Sequence, residues 1–224
     1  MSDNAVITSS PQPWWNRHIE LIVVILLGVV SVATAYTSFQ SSLYGGHSDD
    51  KISQSGTAAT SAESLYLEAN QQYVSDTQTI QQLALLQVAA DAGDTLAQAQ
   101  FEQLWFMAVS EDLDAAIQAA AALDEAEPEF WHDPQADEEY QAALFDAYAV
   151  EKERADALRA EGDALGLRGD TLGLYTALMA ITLFLLGVAA VVRRPRMQWV
   201  LIGTGTAIFV VTAVLTATIP FVWL

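Results

Sequence analysis

Apolar residues are concentrated towards the two ends of this chain, and that placement constrains the fold more than any other feature. Residues 19–43, 171–192 and 197–224 are strongly apolar, and Glu20 is the only Lys, Arg, Asp or Glu within them. About 20 consecutive apolar residues are enough for a helix to cross a bilayer. The sequence therefore predicts an all-α membrane protein with three transmembrane helices. The predicted spans are residues 19–44, 170–192 and 198–222.

The chain between the first two apolar stretches is strongly acidic. Residues 40–169 hold 25 of the 28 carboxylates and five of the nine Lys and Arg residues, a formal net charge of −20. Such a surface repels the phosphates of nucleic acids and anionic lipid headgroups. We therefore predict an acidic domain at residues 45–169 that has no nucleic-acid partner. The chain has no cysteine, which excludes disulfides and thiolate chemistry.

The loop between the last two apolar stretches predicts the orientation in the membrane. Residues 193–197 include Arg193, Arg194 and Arg196, and basic residues in short loops stay on the cytoplasmic side. Three spans then place the N-terminal tail, residues 1–18, in the cytoplasm and the acidic domain outside it. The predicted location is the cell membrane, as a multi-pass protein.

The first apolar stretch also has features of a cleaved signal peptide. Arg17 precedes it, and Ala33-Thr34-Ala35 has the small residues of a cleavage site. However, the apolar run is longer than the hydrophobic region of a usual signal peptide, and Trp14 and Trp15 form an aromatic belt ahead of it. These features favour a retained membrane anchor.

Helical spacing and its breaks divide the acidic domain into three helices. Gly45-Gly46 predicts a helix stop after the first span, because glycine accepts the left-handed cap conformation. Residues 58–90 then show the seven-residue spacing of a coiled coil, and Asp91-Ala92-Gly93-Asp94 ends that helix. Asp94 is the predicted cap of a second helix, which continues to Leu123.

A segment with two prolines, residues 127–134, predicts the end of the second helix. A third helix begins near Gln135 and leads into the second span, and no stretch alternates like a strand. Because the chain leaves and re-enters the membrane on the same side, three helices of full length cannot connect the first span to the second. We therefore predict an antiparallel pair of the first and third helices, with the middle helix folded against them.

The same proline-flanked segment carries the candidate metal ligands. They are Glu129, His132 and Asp133. Glu129 and His132 have the E-x-x-H spacing that supplies two ligands from one helix face in di-iron bundles, but such a site needs a second motif, which this chain lacks. The flanking prolines favour a solvated acidic turn with Phe130 and Trp131 packed underneath.

Motifs of the common enzyme classes are missing from the sequence. There is no nucleotide-binding, serine-hydrolase or metalloprotease signature, so we expect no enzyme activity and no cofactor. Ionisable residues are also missing from the middle of the predicted spans, which argues against an ion-coupled transporter. A metal-dependent enzyme at Glu129 and His132 is the one enzymatic alternative.

The third predicted span is rich in small and hydroxyl side chains. Gly203 and Ala207 have the four-residue spacing that lets helix backbones approach closely in lipid, which favours helix packing or self-association. Thr212 and Thr216 share a helix face and would line the lumen if the protein formed a pore. The sequence predicts a homo-oligomer, with packing favoured over pore lining.

Two segments carry a resemblance to a known family. Residues 33–46 end the first span with aromatic-Gln and aromatic-x-Gly patterns, and Gly169-Asp170-Thr171-Leu172 opens the second. They resemble an uncharacterised family of prokaryotic three-pass membrane proteins, whose typical members have Trp where Tyr36 and Tyr44 stand here. The resemblance implies the three-pass topology and no activity. It also singles out Gln40, Gly46 and Asp170 as a structural join between the spans and the domain.

These features predict a membrane-anchored, non-enzymatic scaffold or accessory subunit. It would self-associate in membrane lipid and present the acidic helical domain to a protein partner outside the cytoplasm. The cytoplasmic segments, residues 1–18 and 193–197, are too short for an effector domain. The alternatives are an oligomeric cation-conducting pore with an acidic outer vestibule and a metal-dependent extracytoplasmic enzyme.

Overall fold

Five α-helices make up most of the part of the protein that the structure describes. The computed structural model describes residues 14–223, with side chains from residue 18 onward. The helices are α1 (Trp14–Asp91), α2 (Thr95–Ala108), α3 (Glu111–Ala126), α4 (Glu138–Val191) and α5 (Pro195–Ala217), and a short 3-10 helix spans Pro134–Ala136. No β-strand occurs among the described residues, which confirms the all-α prediction. The predictions for the tail before residue 14 and for the side chains of Trp14, Trp15 and Arg17 fall outside the described part.

Three of the helices contain segments long and apolar enough to cross a membrane, as predicted. These segments lie in α1, α4 and α5. A helix suits this environment because it satisfies its backbone hydrogen bonds internally, and lipid offers no partners for unpaired N–H and C=O groups.

Contacts divide the chain into two compact units. Among the described residues, the apolar unit comprises residues 14–51 and 161–223, and the acidic unit comprises residues 52–160. The acidic unit has 21 Asp and Glu residues against three Lys and Arg residues, a formal net charge of −18.

The core of the apolar unit consists of aliphatic side chains from α1, α4 and α5. α1 and α4 run antiparallel in this unit, and Thr37 Oγ1 on α1 lies 3.7 Å from Met179 Sδ on α4. α5 packs closely at Gly205, where an added Cβ would lie 3.6 Å from side-chain atoms of Leu185 and Leu186. The buried core residues are Ile19, Val23, Val30, Met179, Leu186, Ala189 and Ile202.

The acidic unit is built on a second antiparallel pairing of α1 with α4, as predicted. Ser55 Oγ donates to the carbonyl oxygen of Ala155 at 2.8 Å, and the rings of Tyr66 and Tyr148 lie 5.2 Å apart. α3 packs against this pair through Leu113 and Ala116, which are buried in one cluster with Tyr140 of α4.

The predicted helix stop at Gly45-Gly46 is wrong. α1 continues through both glycines from Trp14 to Asp91. A glycine in a helix interior costs only about 1 kcal/mol relative to alanine, which the hydrogen bonds and packing of a long helix easily offset. The left-handed conformation occurs further along, at Gly93, whose φ is +97°. There Asp94 caps α2, as predicted, by accepting hydrogen bonds from the N–H groups of Leu96 and Ala97.

The single predicted second helix is also wrong, because the structure has two helices there. Val109 is extended, and Ser110 caps α3 by accepting a hydrogen bond from Leu113 N–H at 3.2 Å. Three acidic residues in the first turn of α3 stabilise this start through the helix dipole. The serine cap and the acidic turn therefore outweigh the helical spacing that continues across the break.

Candidate functional site

The acidic unit contains an open cleft of about 470 Å³. α1, α2, α3 and the segment between α3 and α4 all contribute to its walls. Most lining residues are apolar, among them Ile80, Leu83 and Ile117, and the polar ones are Gln87, Asp124 and His132. The cleft is the strongest candidate for a binding site in this unit.

Three aromatic side chains line the cleft. Phe101 and Trp105 lie one helical turn apart on α2, so they share a face, and their ring centroids are 5.6 Å apart. Trp131 comes from the segment after α3 and is 72% exposed. The cleft therefore offers large aromatic surfaces that a ligand can reach.

Asp124 and His132 form a hydrogen-bonded pair at the cleft. Both the backbone N–H and Nδ1 of His132 donate to Asp124 Oδ1, each at 2.8 Å, so Nδ1 carries the proton. The side-chain hydrogen bond from His132, followed by the backbone one, lowers the pKa of the Asp124 carboxyl below its ordinary value. Asp124 is therefore ionised at neutral pH.

Gln135 anchors the segment that carries Trp131 and His132. Its Nε2 donates to the carbonyl oxygen of Tyr73 at 3.0 Å, and its Oε1 accepts from Thr77 Oγ1 at 2.8 Å. Since Gln135 is buried and both partners lie on α1, the segment is held against that helix. These side-chain bonds thus fix the part of the cleft wall that lies between α3 and α4.

The candidate metal ligands have other roles in this segment. Glu129 is exposed, Asp133 Oδ1 accepts from Gln135 N–H at 2.9 Å, and His132 Nδ1 is bonded to Asp124. Within residues 14–223 no group of three His, Cys, Asp or Glu side chains is placed to hold a metal ion. Residues 127–133 form the predicted turn. However, Phe130 and Trp131 are 65% and 72% exposed, so the prediction that they pack underneath it is wrong.

The four assembly and pore candidates lie on different sides of α5. Gly203 and Ala207 are exposed, and an added Cβ at Gly203 would meet no atom within 4 Å. Thr212 and Thr216 are buried inside the apolar unit, where Thr212 Oγ1 donates to the carbonyl oxygen of Ile208. The structure therefore separates the small-residue pair from the threonine pair.

The three residues proposed as a join also have different surroundings. Gln40 is buried and bonded to the backbone of Val222. Gly46 and Asp170 are exposed, and an added Cβ at Gly46 would lie in open space. The structure thus gives Gln40 a tertiary contact through its side chain.

Sequence reasoning missed Phe101, Trp105 and Asp124 as parts of one site. The four-residue spacing of Phe101 and Trp105 was visible, but it also fits an ordinary core helix. Asp124 is one of many carboxylates in this unit, and only its contact with His132 distinguishes it.

Fold and cleft together define an all-helical protein with three candidate membrane spans and an acidic unit that carries an aromatic cleft. No family model, curated protein or solved structure matches the chain. Its function is therefore inferred from its own residues.

Proposed function

We propose that the protein is a membrane-anchored, non-enzymatic scaffold or accessory subunit. It self-associates through its apolar helices and presents the acidic unit to a partner outside the cytoplasm. The observation that carries this proposal is the open face of α5 at Gly203. Gly205 already packs against α4, whereas Gly203 and Ala207 remain exposed and leave room for a helix of a second copy.

The proposed orientation rests on the distribution of charge. The short loop before α5 carries Arg193, Arg194 and Arg196, which favours the cytoplasmic side. The acidic unit, with a formal net charge of −18, is tolerated on the opposite side. The resemblance to prokaryotic three-pass membrane proteins supports the same topology.

Self-association is tested by measuring particle mass of the full chain in lipid nanodiscs. We expect an oligomer for the wild type and a shift to monomer for Gly203→Ile, because a branched side chain keeps the helices apart. Gly28→Ile is the matched control, since Gly28 is also exposed and open to an added Cβ. A wild-type monomer, or equal loss of assembly in both variants, would contradict the proposal.

Orientation is tested by cysteine labelling, for which this cysteine-free chain has no background. Gln81→Cys places a thiol on an exposed position of the acidic unit, and Met197→Cys places one at the exposed start of α5. An impermeant maleimide added to intact cells should label residue 81 and spare residue 197 until the cells are opened. The reverse pattern would refute the orientation.

The alternative of an oligomeric cation pore draws support from the acidic unit alone. Burial of Thr212 and Thr216 within the apolar unit weighs against their lining a lumen between copies. Conductance of the reconstituted oligomer separates the pore from the scaffold. Among the residues that the structure describes, no group of three His, Cys, Asp or Glu side chains supports the metal-dependent enzyme.

A further inference from the structure

The cleft of the acidic unit combines aromatic rings with one carboxylate. Phe101 and Trp105 contribute neighbouring rings from α2, and Trp131 contributes a third. Among the described lining residues, Asp124 is the only carboxylate, and neither Lys nor Arg is present. This composition favours a positively charged ligand over a neutral or negative one.

The Asp124 carboxylate is held in place without a ligand. Both hydrogen bonds from His132 end on Oδ1. No hydrogen bond from residues 18–223 reaches the other oxygen, Oδ2. Because Oδ2 belongs to an ionised carboxylate and accepts no such bond, its strongest partner is a cationic hydrogen-bond donor or another positive charge.

The size and the remaining walls of the cleft indicate an organic ligand. A volume of about 470 Å³ lies within the range of about 300–1,000 Å³ that is usual for small-molecule sites. Ile80, Leu83 and Ile117 supply apolar surface for the body of such a molecule. A bare metal ion needs several fixed oxygen ligands, and Asp124 is the single carboxylate lining the described cleft.

We propose that this cleft binds a small organic cation, either a protonated amine or a quaternary ammonium, with an apolar body. Its positive group contacts Asp124 and the faces of Trp105 and Trp131, and its body lies against the aliphatic wall. Aromatic faces attract cations through the ring quadrupole, tryptophan most strongly. The −18 charge of the unit also raises the local concentration of cations.

This inference rests on the proposed function in one respect, since it gives a ligand to the acidic unit that the protein presents. The two can fail separately. Assembly is measured through Gly203 in the apolar unit, whereas ligand binding is measured through Asp124 and Trp131 in the acidic unit.

Binding is tested by isothermal titration of the full chain in nanodiscs of zwitterionic lipid. The probes are benzyltrimethylammonium and the similarly sized anion 3-phenylpropionate. Salt at about 0.5 M shortens the Debye length to about 4 Å and suppresses loose binding of cations to the acidic surface. We expect saturable binding of one ammonium probe per chain and no binding of the anion.

Three variants locate the binding site. Asp124→Asn and Trp131→Leu should each weaken binding about ten-fold, because each removes one partner of the positive group. Glu125→Gln is the matched control. It removes the same charge from the neighbouring residue, which is exposed and does not line the cleft, so its effect should stay within about two-fold.

Several results would overturn the proposal. These are an absence of saturable ammonium binding, equal affinity for the anion, and equal weakening by Glu125→Gln and Asp124→Asn. Trp131 is largely exposed, so we expect Trp131→Leu to leave the core of the unit intact. If Asp124→Asn unfolds the unit, the affinity of Trp131→Leu for the ammonium probe tests the proposal by itself.

Discussion

The side-chain amide of Gln40 forms two hydrogen bonds with the backbone of Val222. Nε2 donates to the Val222 carbonyl oxygen at 3.2 Å, and Oε1 accepts from the Val222 N–H at 3.1 Å. Nearby, the Tyr44 hydroxyl donates to the Pro220 carbonyl oxygen at 2.7 Å. These bonds fix the segment after α5 against α1 within the apolar unit. Gln40 therefore joins α1 to the segment after α5, whereas the sequence predicted a join between the spans and the acidic domain.

Replacing Gln40 with Met should destabilise the protein. The change keeps the side-chain length but leaves two backbone groups of Val222 without partners, at a cost of about 1–3 kcal/mol. The measurement is the thermal unfolding midpoint of the full chain in nanodiscs, followed by circular dichroism. Ser42→Ala, at an exposed position two residues away, is the control and should leave the midpoint unchanged. An unchanged midpoint for Gln40→Met would show that the two bonds are dispensable.

Two glycine-to-alanine changes in the long helices should have opposite effects. Gly46 is exposed and open to an added Cβ, so Gly46→Ala should stabilise the helix by up to about 1 kcal/mol. At Gly169 an added Cβ would lie 3.3 Å from the Ser41 carbonyl oxygen and 3.4 Å from Gly45 N, both on α1, so Gly169→Ala should destabilise the protein. Unfolding midpoints of the two variants check this directly. Shifts of the same sign would contradict the close approach of α1 and α4 at Gly169.

Tyr140→Phe should destabilise the acidic unit at neutral pH. The Tyr140 hydroxyl donates to Asp76 Oδ2 at 2.7 Å, and Asp76 is 1% exposed. Without the hydroxyl, the Asp76 carboxylate keeps the hydrogen bond from Gln72 and loses the one to Oδ2, which costs about 1–3 kcal/mol. The free energy of unfolding of the full chain measures this effect. Tyr66→Phe, which alters a partly exposed ring, is the control. If Tyr140→Phe lowers the free energy of unfolding no more than Tyr66→Phe does, the buried bond contributes little.

Tyr140 should also make the stability of the protein depend on pH in the alkaline range. Burial, and then the hydrogen bond to Asp76, raises the pKa of Tyr140 above its ordinary value. Because the pKa of Tyr140 is higher in the folded state than in the unfolded state, the folded state holds the hydroxyl proton more tightly. The stabilising contribution of Tyr140 is therefore complete below about pH 10, the pKa of the unfolded state, and is lost as the pH rises above it. Unfolding midpoints measured across this range should fall more steeply for the wild type than for Tyr140→Phe. Parallel curves would exclude Tyr140 as the titrating group.

Thr216→Val should leave the protein as stable or more stable. Thr216 Oγ1 is buried and has no hydrogen-bond partner among the residues that the structure describes, so the hydroxyl is a cost that valine removes at nearly the same volume. Thermal unfolding of the full chain measures the change. If Thr216 instead faced a wet lumen, valine would lower any conductance of the reconstituted protein, which would contradict the burial described above.

Much of this architecture follows from local properties of the sequence. The apolar stretches give three candidate spans, because hydropathy and length decide whether a segment fits a bilayer. The break at residues 91–94 and the turn at residues 127–133 were also predictable, since Gly93, Asp94 and the flanking prolines act on the backbone at their own positions. Gly45-Gly46 did not end a helix, because a local preference of about 1 kcal/mol yields to the bonds and packing of the helix around it.

The cleft and its hydrogen-bonded pair of Asp124 and His132, by contrast, depended on tertiary structure. Four separate segments supply the lining residues Leu83, Phe101, Ile117 and Trp131. The local spacing of these residues in the sequence does not indicate that they line the same cleft. Asp124 differs from its acidic neighbours only because the turn brings His132 back to it across eight residues. Composition therefore determined the lipid-compatible helices and the acidic unit by itself. Which side chains meet in the cleft was decided by the packing of α2, α3 and the turn on α1.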